Sequence, residues 1–200
     1  PRAHDHQACY YAARPNIGAG IGHQIANWIA GYWFAQQFGL KFAHIPFSSS
    51  EWEALLGFGV GEVTVDSLKS DGYRVVCLPL FDEDSPEALA VIRRIIASYA
   101  GRKVVFLCEQ DQFYRDQFGV QAAIQEKFHR ALARGADTLR FSSNCFNIAI
   151  HVRRGDIVVG QRNGNPNLQL RWQDVDYFEK VLDQVLATIR PSKRVEIYLF

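Results

Sequence analysis

The sequence predicts an α/β fold built on parallel sheets, with helices covering both faces. Apolar runs of four to eight residues alternate with helix-period segments along the whole chain. Those runs are too apolar to have a wet face, so they suit strands buried on both sides. Helix start and stop signals separate them: Gly39, Ser85-Pro86, Gly101, Gly135 and Pro191.

In order, Cys9 to Ala13 reads as a short strand, and a helix follows from about His23 to Phe38, stopped by Gly39. Leu40 to Phe47 is a second strand, closed by Pro46 and the Ser48-Ser49-Ser50 run, and Glu51 to Leu56 a short helix. Arg74 to Leu80 is a strand. Pro86 to Tyr99 is a helix, with Ser85 as N-cap, Pro86 in the first helical position and Gly101 past its end. Lys103 to Cys108 is the next strand, and Gln121 to Arg134 a helix ended by Gly135. Phe146 to Val152 is a strand, Asp174 to Ile189 a helix, and Val195 to Phe200 the last strand. The polar, turn-rich stretch Gly135 to Asn144 marks a boundary between a domain at 1–143 and a second unit at 144–200. The chain has no Met, and an apolar run ends on Phe200, so the second unit reads as unfinished.

The bulk numbers narrow the functional classes. A formal net charge of +1 gives no whole-protein field to recruit nucleic acid, so any anion site must be local. No apolar run reaches the ~18 residues that would span a bilayer. The four cysteines, Cys9, Cys77, Cys108 and Cys145, fit no zinc or redox spacing, and Cys77 and Cys108 read as small buried hydrophobes. No N-x-S/T acceptor occurs, which leans towards a cytoplasmic protein of bacterial type.

Two motifs carry chemistry. The first is the glycine-rich turn Asn16 to Gln24 (NIGAGIGHQ), between the first strand and the first helix. Gly18, Gly20 and Gly22 allow close backbone approach, and a helix N-terminus favours an anion. The turn fails G-x-G-x-x-G at His23 and lacks the G-K-[ST] of a P-loop, so a plain βα turn is the competing reading. Gln24 and Asn27 are expected to point outward at the C-terminal edge of the sheet, where ligands bind in such folds. His23 is the one titratable group there, a candidate base or a solvent-exposed histidine without a role.

The second motif is His151-Val152-Arg153-Arg154-Gly155-Asp156 at the end of an apolar strand. A sheet interior cannot take a bare guanidinium, so both arginines emerge into the crevice. Their forks match a phosphate. Gly155 permits a sharp turn, and Asp156 can orient one arginine. Strand alternation puts His151 and Arg153 on one face, and Val152 and Arg154 on the other. The competing readings are a structural Arg–Asp ion pair and, from Arg154-Gly155-Asp156, an adhesion tripeptide.

Together these motifs resemble GDP-fucose-dependent fucosyltransferases of the α1,2/α1,6/protein-O type, the α1,2 branch most. H-V-R-R-G-D matches that family's H-x-R-R-x-D, and Gly20 to Leu40 resembles its G-x-G-N-Q helix, departing at His23. Asp176 to Leu182 and Glu196 to Phe200 resemble the helix and strand that follow. The resemblance implies two facing Rossmann-like domains (the GT-B architecture) and inverting transfer of fucose from GDP-fucose to a sugar hydroxyl of a glycan, with no metal required. It makes 1–143 the acceptor-side domain and 144–200 the start of the nucleotide-sugar domain. It implies that Arg153 contacts the pyrophosphate, supported by Arg154, Asp156 and His151. Gly20, Gly22 and Gln24 would form the opposing wall, and His23 is the candidate base. Asp82-Glu83-Asp84 carries alternating acids but reads as a lead-in to a helix, so cationic side chains would have to stabilise the leaving GDP. A non-catalytic nucleotide-binding domain is one rival. A NAD-dependent oxidoreductase is another, disfavoured by the broken glycine fingerprint and by His44-Ile45-Pro46-Phe47 where a ribose-binding acid would stand.

Overall fold

A computed structural model describes residues 9–109, 117–136 and 140–200. It is an α/β protein with parallel strands, and its contacts divide it into two units, Pro1–Asp137 and Thr138–Phe200. The division falls ahead of the boundary read from the sequence at 143/144.

The first unit holds a four-stranded sheet in the order β2-β1-β4-β3, all parallel. Its strands are β1 (Cys9–Ala13), β2 (Lys41–Phe42), β3 (Arg74–Cys77) and β4 (Val104–Cys108). Alternation explains why the central strands β1 and β4 lack a polar face. Cys9 and Tyr11 of β1, with Val104, Phe106 and Cys108 of β4, pack under α1 (Ile21–Gln37) and α4 (Pro86–Ala97). The intervening Ala12, Val105 and Leu107 pack on the other face against Val65 and Leu68 of α3 (Val65–Ser70). Gly31 lets α1 lie close on β1, since a Cβ there would come within 2.6 Å of the Ala13 Cβ. The helix starts are satisfied locally. Ser85 Oγ accepts from the Ala88 N–H at 3.1 Å, and Thr64 Oγ1 from the Ser67 N–H at 3.1 Å. The acidic run is a lead-in to α4, with Asp82 Oδ1 accepting from the Asp84 N–H.

Several expected elements are shorter. The Leu40–Phe47 strand contracts to Lys41–Phe42, followed by one bridge from His44 to Thr64. Pro46 has no N–H to offer, and the Phe47 N–H is taken by Glu53 Oε1 of α2 (Ser50–Leu56) at 2.7 Å. Helix α5 (Gln121–Arg130) stops before Arg134: Ala131 is extended, and Leu132–Ala136 is a 3-10 turn. Cys77 is exposed on the edge strand β3, contrary to the buried reading, while Cys108 is buried.

The second unit pairs β5 (Phe146–Ile150) with β6 (Val195–Leu199) in parallel, Phe146 opposite Val195 and Ile150 opposite Leu199. Between them run α6 (Gly155–Arg162), α7 (Pro166–Gln169) and α8 (Val175–Ile189). The sequence reading missed α6, treating Gly155 as a sharp turn. Gly155 instead opens the helix, with the Val158 N–H donating to the Arg154 carbonyl at 2.8 Å. Ile157 on α6 is fully buried. No helix among the described residues is long and apolar enough to cross a membrane, and no group of three or more His, Cys, Asp or Glu is placed to hold a metal among them.

Candidate functional site

The β1–α1 turn is held by its own side chains. Gly18 adopts φ +89°, a conformation that only glycine takes without strain. Gln24, expected to point outward, is buried at 2% exposure. Its Nε2 donates to the Ala19 carbonyl at 2.9 Å and to Ser48 Oγ at 2.7 Å, while its Oε1 accepts from the Ser48 N–H at 2.8 Å. Asn27 is buried too, and its Oδ1 accepts from the Asn16 N–H at 2.9 Å. Both amides therefore fasten the loop, and both ends of the Gln24 amide are bonded within the protein. His23 is half-buried rather than solvent-exposed. Gly20 is the N-cap of α1 and Gly22 lies in its first turn; the space where a Cβ would sit is open at both.

Strands β1 and β4 are neighbours at the centre of the sheet. A crevice of about 350 Å³ opens at their C-terminal ends, lined by Arg14, Asn16, Ile17, Asn27 and Glu109. Arg14 and Glu109 span it as a half-exposed ion pair at 2.8 Å.

The β5–α6 turn differs. Strand pairing stops at Ile150, with one further bond from the Val152 N–H to the Phe200 carbonyl at 2.7 Å. The residues from His151 on are therefore not in a strand, and the expected alternation of Arg153 and Arg154 does not hold. Both arginines line one cleft of about 400 Å³, with His151 beside them. Arg153 grips Asp156 through two bonds: Nε to Oδ1 at 3.1 Å and Nη2 to Oδ2 at 2.5 Å. These bonds hold the Asp156 carboxyl below its usual range and raise the Arg153 guanidinium above its own. The pair is half-exposed, so it fixes geometry more than it stabilises the fold.

Arg154 takes another route. Its guanidinium lies 4.0 Å from the Trp172 ring centroid, and its Nη2 donates to the Gln173 carbonyl at 2.8 Å. The Trp172 Nε1 donates to Asp174 Oδ1 at 2.8 Å. Asp174 is the N-cap of α8, yet its side chain makes no capping bond. The rest of the cleft wall is apolar: Ile148, Ala149 and Ile150 from β5, with Tyr177, Phe178, Val181, Leu182 and Val185 from α8. Arg171 and Gln173 complete the lining, to which no carboxylate belongs among the described residues. Sequence reasoning missed Arg171 and Trp172. The available signal was an arginine and an aromatic residue directly before an Asp N-cap.

A second polar cluster was also missed. His44 is 1% exposed, its Nε2 2.7 Å from Glu53 Oε1 and its Nδ1 3.8 Å from Glu62 Oε2. Glu62 pairs with Lys127 at 3.0 Å and accepts from the Gly59 N–H at 2.7 Å. This network ties α2, the 58–62 turn and α5 together. It borders a groove of about 810 Å³, where Glu62 pairs with Lys127 and Glu126 with Arg130. With those charges matched in place, the groove is a poorer anion site than the arginine cleft.

No known protein family, curated protein or solved structure matches this chain.

Proposed function

We propose that the protein is an inverting fucosyltransferase of the GT-B kind, which binds GDP-fucose at the β5–α6 turn and passes fucose to a sugar hydroxyl. The observation that carries this reading is the convergence of Arg153, Arg154 and Arg171 on one cleft that no carboxylate lines among the described residues. Such a cleft favours an anion, and its apolar walls suit a ligand with an uncharged body.

Transfer leaves negative charge on the β-phosphate of GDP. A preorganised guanidinium lowers that barrier, because its donors are already aimed where charge develops. Asp156 occupies only two of the five N–H donors of Arg153, at Nε and Nη2. The remaining donors are free to meet a phosphate while the carboxylate holds the fork in place. His151 borders the cleft and orients the turn. His23 remains the candidate base for the acceptor hydroxyl. The glycan acceptor falls to the first unit in this reading, and the arginines take the charge-neutralising role that a metal plays elsewhere.

The test is to measure GDP affinity and GDP-fucose turnover on the same preparation. Binding with acceptor-stimulated turnover is the expected result. Binding with neither transfer nor hydrolysis assigns the cleft to a non-catalytic nucleotide-binding domain.

A further inference from the structure

Of the three arginines on the cleft, two are already engaged by protein groups. Arg153 is gripped by Asp156, and Arg154 lies on Trp172 with a bond to the Gln173 carbonyl. Arg171 is different: it is exposed, lines the same cleft, and has no carboxylate within ion-pairing distance among the described residues. A guanidinium brought to a cleft without a partner is a donor fork awaiting an anion. Beside it, Trp172 is fixed at both ends of its reach. Its indole N–H is bound to Asp174, and its ring face supports Arg154. The bond to Trp172 draws the Asp174 side chain away from capping α8. The same few residues, 171–174, thus hold one arginine in place and present another.

We propose that Arg171 directly contacts the diphosphate of the ligand and that Trp172 is the positioning residue that holds Arg154 towards it. This deepens the nucleotide-sugar reading and rests on it for the identity of the ligand, but the anion site itself can be tested without the nucleoside. Arg153 then fixes the turn through Asp156, Arg154 is presented from the Trp172 face, and Arg171 reaches the ligand from the adjoining position on the same 171–174 stretch.

The experiment titrates the full chain with inorganic pyrophosphate, then with GDP and ADP, at low and at physiological ionic strength. Arg171→Gln is expected to weaken pyrophosphate binding about tenfold and to flatten its salt dependence, as loss of one charge-assisted contact requires. Trp172→Ala is expected to weaken it by about fivefold to tenfold, and Trp172→Phe to restore it to within about threefold, because a phenyl face still supports a guanidinium. Thermal melts of each variant separate lost binding from lost folding, and Arg171→Ala, which also removes the charge at an exposed position, gives the same readout if Gln disturbs the loop. An Arg171→Gln variant that binds pyrophosphate within about twofold of wild type overturns the direct contact. Equal loss in Trp172→Phe and Trp172→Ala overturns the positioning role. Wild type that ignores pyrophosphate sinks both the anion site and the proposed function. Wild type that binds pyrophosphate through Arg171 but shows no preference for GDP over ADP upholds this inference and sinks only the GDP assignment.

Discussion

Two strand-to-helix turns in this chain share one grammar and use their polar residues in opposite ways. In the β1–α1 turn, Gln24 and Asn27 are buried, and their amides bond to the loop backbone and to Ser48. In the β5–α6 turn, Arg153 and Arg154 remain at the wall of a cleft, the first steadied by Asp156 and the second by Trp172 and the Gln173 carbonyl, each with donors to spare. The contrast follows from side-chain chemistry. A neutral amide can be buried once its two ends are satisfied, whereas a guanidinium carries a charge that resists burial without a full set of partners. One turn therefore reads as architecture, and the other as a binding surface.

Substitutions in the two turns should separate on this line. The largest effect is expected from Arg153→Lys, which keeps charge but loses the fork. It should cost about 2–4 kcal/mol in kcat/KM for transfer from GDP-fucose, roughly 30- to 1,000-fold, with melting temperature little changed. Activity within about threefold of wild type would make Arg153 structural.

Gln24→Ala should do the reverse. It removes three hydrogen bonds and leaves the Ser48 N–H without its partner, so denaturant unfolding should show a loss of about 2–4 kcal/mol. A Gln24→Ala protein of normal stability but without GDP binding would return this turn to the ligand and erase the contrast.

Gly31→Ala tests the packing beneath the first turn. The added methyl would meet the Ala13 Cβ at 2.6 Å and the Ala13 backbone nitrogen at 3.1 Å, neither of which can swing aside. The overpacking cost of about 1–3 kcal/mol should outweigh the helix-propensity gain of about 1 kcal/mol, for a small net destabilisation by thermal melt.

The smallest effect is at Asp156. Its folded carboxyl titrates below the ordinary value of about 3.9, chiefly through the hydrogen bonds from Arg153. The pair is therefore fully formed above about pH 4 and opens as pH falls through the lower folded value. Carboxyl NMR of the wild type should give a depressed midpoint, returned to the ordinary range in Arg153→Ala. An ordinary midpoint in wild type would mean that the ion pair does not persist in solution. EDTA is expected to leave transfer unchanged, since guanidinium groups supply the counter-charge. Activity lost to EDTA and restored by Mg²⁺ or Mn²⁺ would contradict that.

Much of this was legible in the residues, for a physical reason. Strands buried on both faces need unbroken apolar runs, and Cys9–Ala13 and Val104–Cys108 have them, so the parallel sheet followed. Ser85-Pro86 places the start of α4 through capping chemistry confined to a few neighbouring residues. What stayed hidden depends on distant partners. Nothing near Gln24 announces Ser48, and nothing near His44 announces Lys127. Strand alternation misplaced Arg154 because pairing ends at Ile150, before either arginine. Trp172 lies in a connection without periodicity, and its role is visible only once the ring is seen against Arg154.

Calorimetry of the full-length protein with GDP, UDP and NAD asks whether the arginine turn binds a guanosine diphosphate. GDP should bind tighter than either competitor by about tenfold or more, a gap of ~1.4 kcal/mol. Equal binding of all three would contradict it, leaving a general anion cleft in place of a nucleotide-sugar site.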